Sequence, residues 1–336
     1  QLMRRLCFLK HLVSVSDNMH HSKAHIWFVW PAIILMIVIL ILPIFLAGGI
    51  SFTNYNLGNS SFEWVGMENY EKMFSRKTYI KMIISTATYV LIVVPVSVVL
   101  GLVAAIMLNS LRFGADIYKT IFFLPVMATL LAMAIAWEFT LHPTLGIINS
   151  FLANGCGGIR EFILGFHWLP WVSSEDSWYS VACANNMDFP YWLKDKKTAI
   201  WTICFIGVWQ AFGFNMVLYL AGLTSIPREL YHAAEMDGAQ STWEQFKLVT
   251  WPMLGPTTLF VVTITTIRSF QVFDTIEILT KGGPAKTTYV MMYAIFEKAI
   301  QQNITSIGAA ITVVFIIFII LLTFFQRYVI EKRVHY

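Results

Sequence analysis

Six stretches of this chain, at 26–50, 82–111, 120–137, 198–227, 248–267 and 299–326, are apolar and nearly free of charge. A helix needs ~20 apolar residues to cross the hydrocarbon of a bilayer. Lipid offers nothing to an unpaired peptide group, so such stretches must be helical. The expectation is therefore an all-α, polytopic membrane protein with six transmembrane helices. Composition agrees: 57% of residues are hydrophobic and 12% charged, against about 25% charged in soluble domains. The third stretch is the shortest and is expected to run past Glu138. Pro31, Pro43, Pro95 and Pro125 lie within these stretches and are expected to kink them. The first stretch is too long for a cleavable signal peptide, and no small-residue cleavage pattern follows it.

Charge density hints at orientation. With the N-terminus inside, the inner segments hold 11 Lys/Arg in 63 residues and the outer ones 11 in 116. The bias favours both termini inside, although the rule weakens where long loops contribute.

The most polar segment between two such stretches runs from Arg228 to Pro256. Residues 229–236 are good helix formers, Gly238 breaks the pattern, and 242–246 can start a second short helix. Leu230, Ala233, Ala234 and Met236 give this helix-Gly-helix elbow an apolar side. On the residues alone it is either a docking element or a solvated loop.

This segment resembles the cytoplasmic loop of permease subunits in bacterial binding-protein-dependent ABC importers. That motif reads Glu-Ala-Ala, three residues, Gly, nine residues, then Ile-x-Leu-Pro. Here Tyr231-His232-Ala233-Ala234 is followed by three residues and Gly238, then ten residues beginning with Ala239, and Val249-Thr250-Trp251-Pro252. His232 stands where the motif has Glu, and one extra residue precedes Val249. The stretch from Ser225 to Tyr231 is similar to the carbohydrate-uptake branch. So are Trp64 to Tyr70, Leu124-Pro125, Trp137, Gly146 to Asn149, Trp192 to Asp195 and Thr280 to Pro284. Trp64 to Tyr70 reads equally as an interfacial aromatic anchor.

The resemblance covers about 26–334. It implies the type I ABC importer permease fold with N-terminus and C-terminus in the cytoplasm, at the bacterial inner membrane. Residues 1–25 would be a cytoplasmic tail, 228–252 the coupling loop, and 155–190 a periplasmic insertion. Cys156 and Cys183 lie in that insertion; they could pair in an oxidising compartment or stay free. The coupling residues would be Tyr231, His232, Ala233, Ala234, Asp237, Gly238 and Ala239. Further implied are a second, homologous permease forming a heterodimer, two ATPase subunits that bind ATP and Mg, and a periplasmic solute-binding protein. The chain itself would carry no cofactor and no metal, do no covalent chemistry, and meet lipid but no nucleic acid.

By the same resemblance, the solute path is lined by Gln210, Ala211 and Phe214 before the elbow and by Thr265, Arg268, Ser269 and Val272 after it. The last four are spaced i, i+3, i+4, i+7 and would share one helix face; Asp274 falls off it. Arg268 stands where an aromatic is found in the maltose-type member. A cation in a span is costly, and usually faces water, a partner or a ligand; the alternative is an interfacial Arg that snorkels outward. A guanidinium forks well onto carboxylate or phosphate. The expected solute is a sugar or oligosaccharide, acidic ones such as alginate included, with glycerol phosphate or another small anion as the alternative.

Other classes fit less well. An ion-coupled transporter would need carboxylates well inside its spans, a channel a pore motif, and an enzyme a nucleophile or metal cluster. The eight His are scattered, and no phosphate loop, zinc spacing or dinucleotide fingerprint occurs.

Overall fold

The computed structural model describes residues 24–59, 61–111, 113–149 and 191–331. Residues 1–23 of the tail and nearly all of the loop before 191, with Cys156 and Cys183, lie outside them.

Among the described residues the protein is a bundle of helices whose only extended pairing is a single bridge between Thr53 and Trp64. Helix α1 runs through Ala24–Met36, a wide turn at Ile37–Ile41, and Leu42–Ile50. Short α2, Glu68–Ser75, follows. Asn69 ties it to the end of α1 by donating from Nδ2 to the carbonyls of Ser51 and Thr53, both at 2.8 Å. Helix α3, Lys77–Ser110, is the longest, and Pro95 sits inside it without ending it.

The third expected span is the place where pattern and structure part. The stretch forms two helices, α4 (Ala115–Met127) and α5 (Leu130–Thr140), set at 100° to each other. Pro125 weakens the end of α4. Two residues beyond α4, Thr129 caps a new helix by accepting a bond from the Ala132 N–H. Among the described residues, five helices are long and apolar enough to cross a membrane, or six if this bent pair counts as one span.

Helix α6, Ala199–Thr224, is the hub, packed against α3, α4 and α9 (Gly255–Phe270). Its approach to α3 is close: a Cβ placed on Gly101 would lie 2.7 Å from the Asn215 Cβ and 3.0 Å from the Met216 nitrogen. Only a residue without a side chain allows that crossing, as is common between membrane helices. The buried core around it includes Met82, Val93, Ile203, Met216, Tyr219, Leu254, Val261 and Phe270. Helix α1 contrasts with this; its side chains from Val29 to Leu46 are exposed, and only its last section, Leu42–Ile50, meets the final helix α12, Thr305–Glu331.

Candidate functional site

Between α6 and α9 lies the elbow. Helix α7, Arg228–Met236, is followed by Gly238 at φ +98°, a backbone angle that side chains disfavour. Nothing lies within 4 Å of where a Cβ would stand there, so the demand for glycine comes from the backbone alone. The chain re-enters helix at α8, Thr242–Gln245, through a capping box between Ser241 and Glu244. A wide turn, Phe246–Thr250, then carries it towards α9.

The two arms are held by few bonds. Ala239 N–H donates to the Ala234 carbonyl at 2.9 Å, and the Tyr231 and Thr250 hydroxyls are 3.0 Å apart. Gln245 Nε2 donates to Glu235 Oε1 at 3.1 Å. Ala239 is buried, while His232, Ala233, Asp237 and Gly238 are exposed and Tyr231 and Ala234 are partly covered. Large apolar side chains are also turned out: Met236 is 89% exposed, Trp243 70% and Leu248 62%. Trp243 is stacked on Phe246 at 5.4 Å. An apolar, pre-ordered elbow of this kind suits docking against another protein.

The second feature is a cavity of about 270 Å³ among α3, α4, α6 and the end of α9. All seven of the expected path residues line it: Gln210, Ala211, Phe214, Thr265, Arg268, Ser269 and Val272. They reach it by a different geometry than one helix face. Helix α9 ends at Phe270, so Val272 lies beyond it and is brought round by a turn in the chain. The same turn brings in Asp274, first residue of the short helix α10, Asp274–Leu279, which a continued helix would have carried away. Asp274 therefore does line the cavity, because the helical phase from which it was excluded stops four residues earlier.

The Arg268 guanidinium lies over the Phe214 ring, 3.9 Å from its centroid, a favourable cation–π arrangement. It is exposed, and among the described residues it forms no ion pair. Sequence reasoning passed over Asn215 and Tyr89, which also line the cavity. Asn215 is fully buried; its Nδ2 donates to Ser97 Oγ at 3.2 Å, and Thr265 Oγ1 donates to its Oδ1 at 2.7 Å. A polar side chain in an apolar span was the available signal, but its partners are 118 and 50 residues away in sequence.

Beyond the cavity, the loop after α10 holds Thr280 to Pro284 and is pinned to α3. Ser85 Oγ donates to the Thr287 carbonyl at 2.9 Å, and the Met291 N–H to Thr86 Oγ1 at 3.0 Å. Glu297 receives Lys286 Nζ at 2.9 and 3.1 Å, and also the Tyr289 hydroxyl. Burial pushes the Glu297 carboxyl up, but the bonds from Tyr289 and Lys286 outweigh it and hold it below the usual range. Burial and the adjacent carboxylate together push the Tyr289 hydroxyl up. Among the described residues no cluster of His, Cys, Asp and Glu could hold a metal.

Known proteins are similar to this chain. The permease protein AmyD of Thermoanaerobacterium thermosulfurigenes, named for the probable transport of starch degradation products, is 27% identical over 93% of this chain and 96% of its own length. The sn-glycerol-3-phosphate permease UgpA of Pectobacterium atrosepticum is 26% identical over 92% and 94%. A solved bacterial alginate ABC transporter, in complex with an alginate pentasaccharide-bound periplasmic protein, contains a chain of the same fold. Its TM-score is 0.73 at 20% identity, covering 93% of this chain and 95% of that one. Residues 65–336 match the family described as "Binding-protein-dependent transport system inner membrane component". With that match over most of its length, the chain belongs to this family of ABC transporter permeases.

Proposed function

We propose that this chain is one permease of an ATP-driven importer carrying an acidic sugar or oligosaccharide across a bacterial inner membrane. The observation that carries the reading is Arg268: a cation in the cavity wall, stacked on Phe214 and without a carboxylate partner among the described residues. A charge in a span needs a compensating group, and a carboxylate on the solute would supply it. The alginate import named for a protein of the same fold and the starch products named for AmyD support a saccharide.

In this reading six spans place both termini and the elbow in the cytoplasm. Residues 26–334 form the transmembrane domain and 228–252 the coupling loop, with Tyr231 to Ala234 and Asp237 to Ala239 against an ATPase. A second permease completes a heterodimer, and two ATPase subunits bind the ATP and Mg. A periplasmic protein delivers the solute to the side facing 155–190. Closure of the ATPases rocks packed helices about the cavity, exposing it to each side in turn. UgpA supports a second solute, a glycerol phosphate, whose anion would use the same guanidinium.

The test is transport by the reconstituted complex at saturating binding protein. Arg268→Ala is expected to raise the solute concentration for half-maximal transport by about tenfold, the loss of one charge-assisted contact. Arg268→Lys should recover part of it, keeping the charge without the fork. Wild-type behaviour of Arg268→Ala, or transport of neutral sugars only, would remove the acidic-solute reading.

A further inference from the structure

The geometry points to Asn215 as the positioning residue that sets where Arg268 sits in the cavity. This rests on the reading that Arg268 meets the solute. Asn215 is 0% exposed, and its two amide ends face two other helices. Ser97 on α3 takes the amide N–H, and Thr265 on α9 donates to the amide oxygen. Ser97 Oγ in turn donates to the Val94 carbonyl at 3.3 Å, so each member of the chain has a partner.

The position of each residue gives the network its role. Thr265 is three residues before Arg268, one turn of the same helix. Asn215 follows Phe214 directly. A bond between Thr265 and Asn215 therefore fixes both height and rotation of α9 against α6. That register is the one which puts the guanidinium 3.9 Å above the Phe214 ring. Among the described residues no second hydrogen bond links these two helices at this level; the Arg268–Phe214 stack is the contact whose placement this bond sets. Apolar packing alone tolerates sliding, whereas an amide with two buried partners has one satisfied arrangement. Gly101 contributes by letting the Asn215 backbone close on α3 until the amide reaches Ser97.

The experiment is binding of a uronate oligosaccharide to the purified complex by titration calorimetry without binding protein, beside thermal unfolding of the same sample. Asn215→Leu keeps the side-chain size and removes both bonds. It leaves Ser97 without its donor, so stability should fall together with affinity. The second variant, Asn215→Leu with Ser97→Ala, removes that orphan; the Thr265 hydroxyl can turn back to its own helix. In this double variant Tm is expected to recover while Kd stays about tenfold weaker, since small misplacements of a binding group are costly. Recovery of both would mean that Asn215 acts through packing alone, and the inference falls. Arg268→Ala separates the two readings. If it weakens binding while Asn215→Leu does not, only the positioning role is lost. If it leaves Kd unchanged, the acidic-solute reading fails and takes the positioning role with it.

Discussion

The elbow and the cavity wall sit at two levels of the same pair of helices, about fourteen residues or ~20 Å of helix apart. They are built on opposite terms. The elbow is local: its bonds join residues no more than 19 apart, its glycine is required by a backbone angle, and its apolar side chains face outward. The cavity wall is distant in sequence: its bonds reach across 50 and 118 residues, its glycine is required by a neighbouring helix, and the groups that make those bonds, Asn215, Ser97 and Thr265, are buried. One is an exposed apolar surface, the other a register held from within. Damage to each should be separable by experiment.

The largest effect is expected at the elbow. Gly238→Asp puts a side chain where φ is +98°, at a cost of ~1–3 kcal/mol if that backbone is kept. The turn relaxes instead and α8 points elsewhere. Transport should drop more than about tenfold, while the permease itself still folds, because no atom of this chain lies within 4 Å of the new Cβ. Uptake at the wild-type rate would end the docking role of this turn.

At the wall the two readouts should move together. Gly101→Ala drives a Cβ to 2.7 Å from the Asn215 Cβ, and overpacking of this kind costs ~1–3 kcal/mol. A lowered Tm with a parallel, partial loss of transport is expected. An unchanged Tm would show that α3 and α6 have slack at this crossing, and the contrast between the regions would weaken. The smallest effect sharpens the comparison from the elbow side. Tyr231→Phe removes one hydroxyl contact to Thr250, a bond of roughly 0.5–1.5 kcal/mol. ATP hydrolysis stimulated by binding protein should fall only about twofold, near the lower end of that range. A loss as deep as that of Gly238→Asp would mean that the hydroxyl, not the turn, carries the coupling.

This division also explains what could be read from the residues in order. The elbow was legible to within a residue: the helix expected at 229–236 is Arg228–Met236, broken at Gly238. Its signals are propensity, caps and one left-handed position, all local. The seven residues that the resemblance assigns to a solute path do share a cavity. Helical phase failed for Val272 and Asp274, because the end of α9 at Phe270 depends on packing beyond it. The break between α4 and α5 was hidden for a similar reason; an uncharged run looks the same whether it is straight or turned by 100°. Asn215 was passed over, since its partners lie on helices that no local pattern connects.

The long reach of the α3 contacts has a consequence for how the protein is made. Ser97 waits for Asn215, 118 residues later, and Thr86 for the Met291 N–H, 205 residues later. At ~5–20 residues per second of synthesis, the first wait lasts roughly 6–24 s and the second roughly 10–41 s. During that time the face of α3 around Gly101 is open to lipid or to a neighbouring chain. The nascent permease is therefore most exposed to mispairing between the arrival of α3 and that of α6, and the loop after α10 is pinned to α3 only later still.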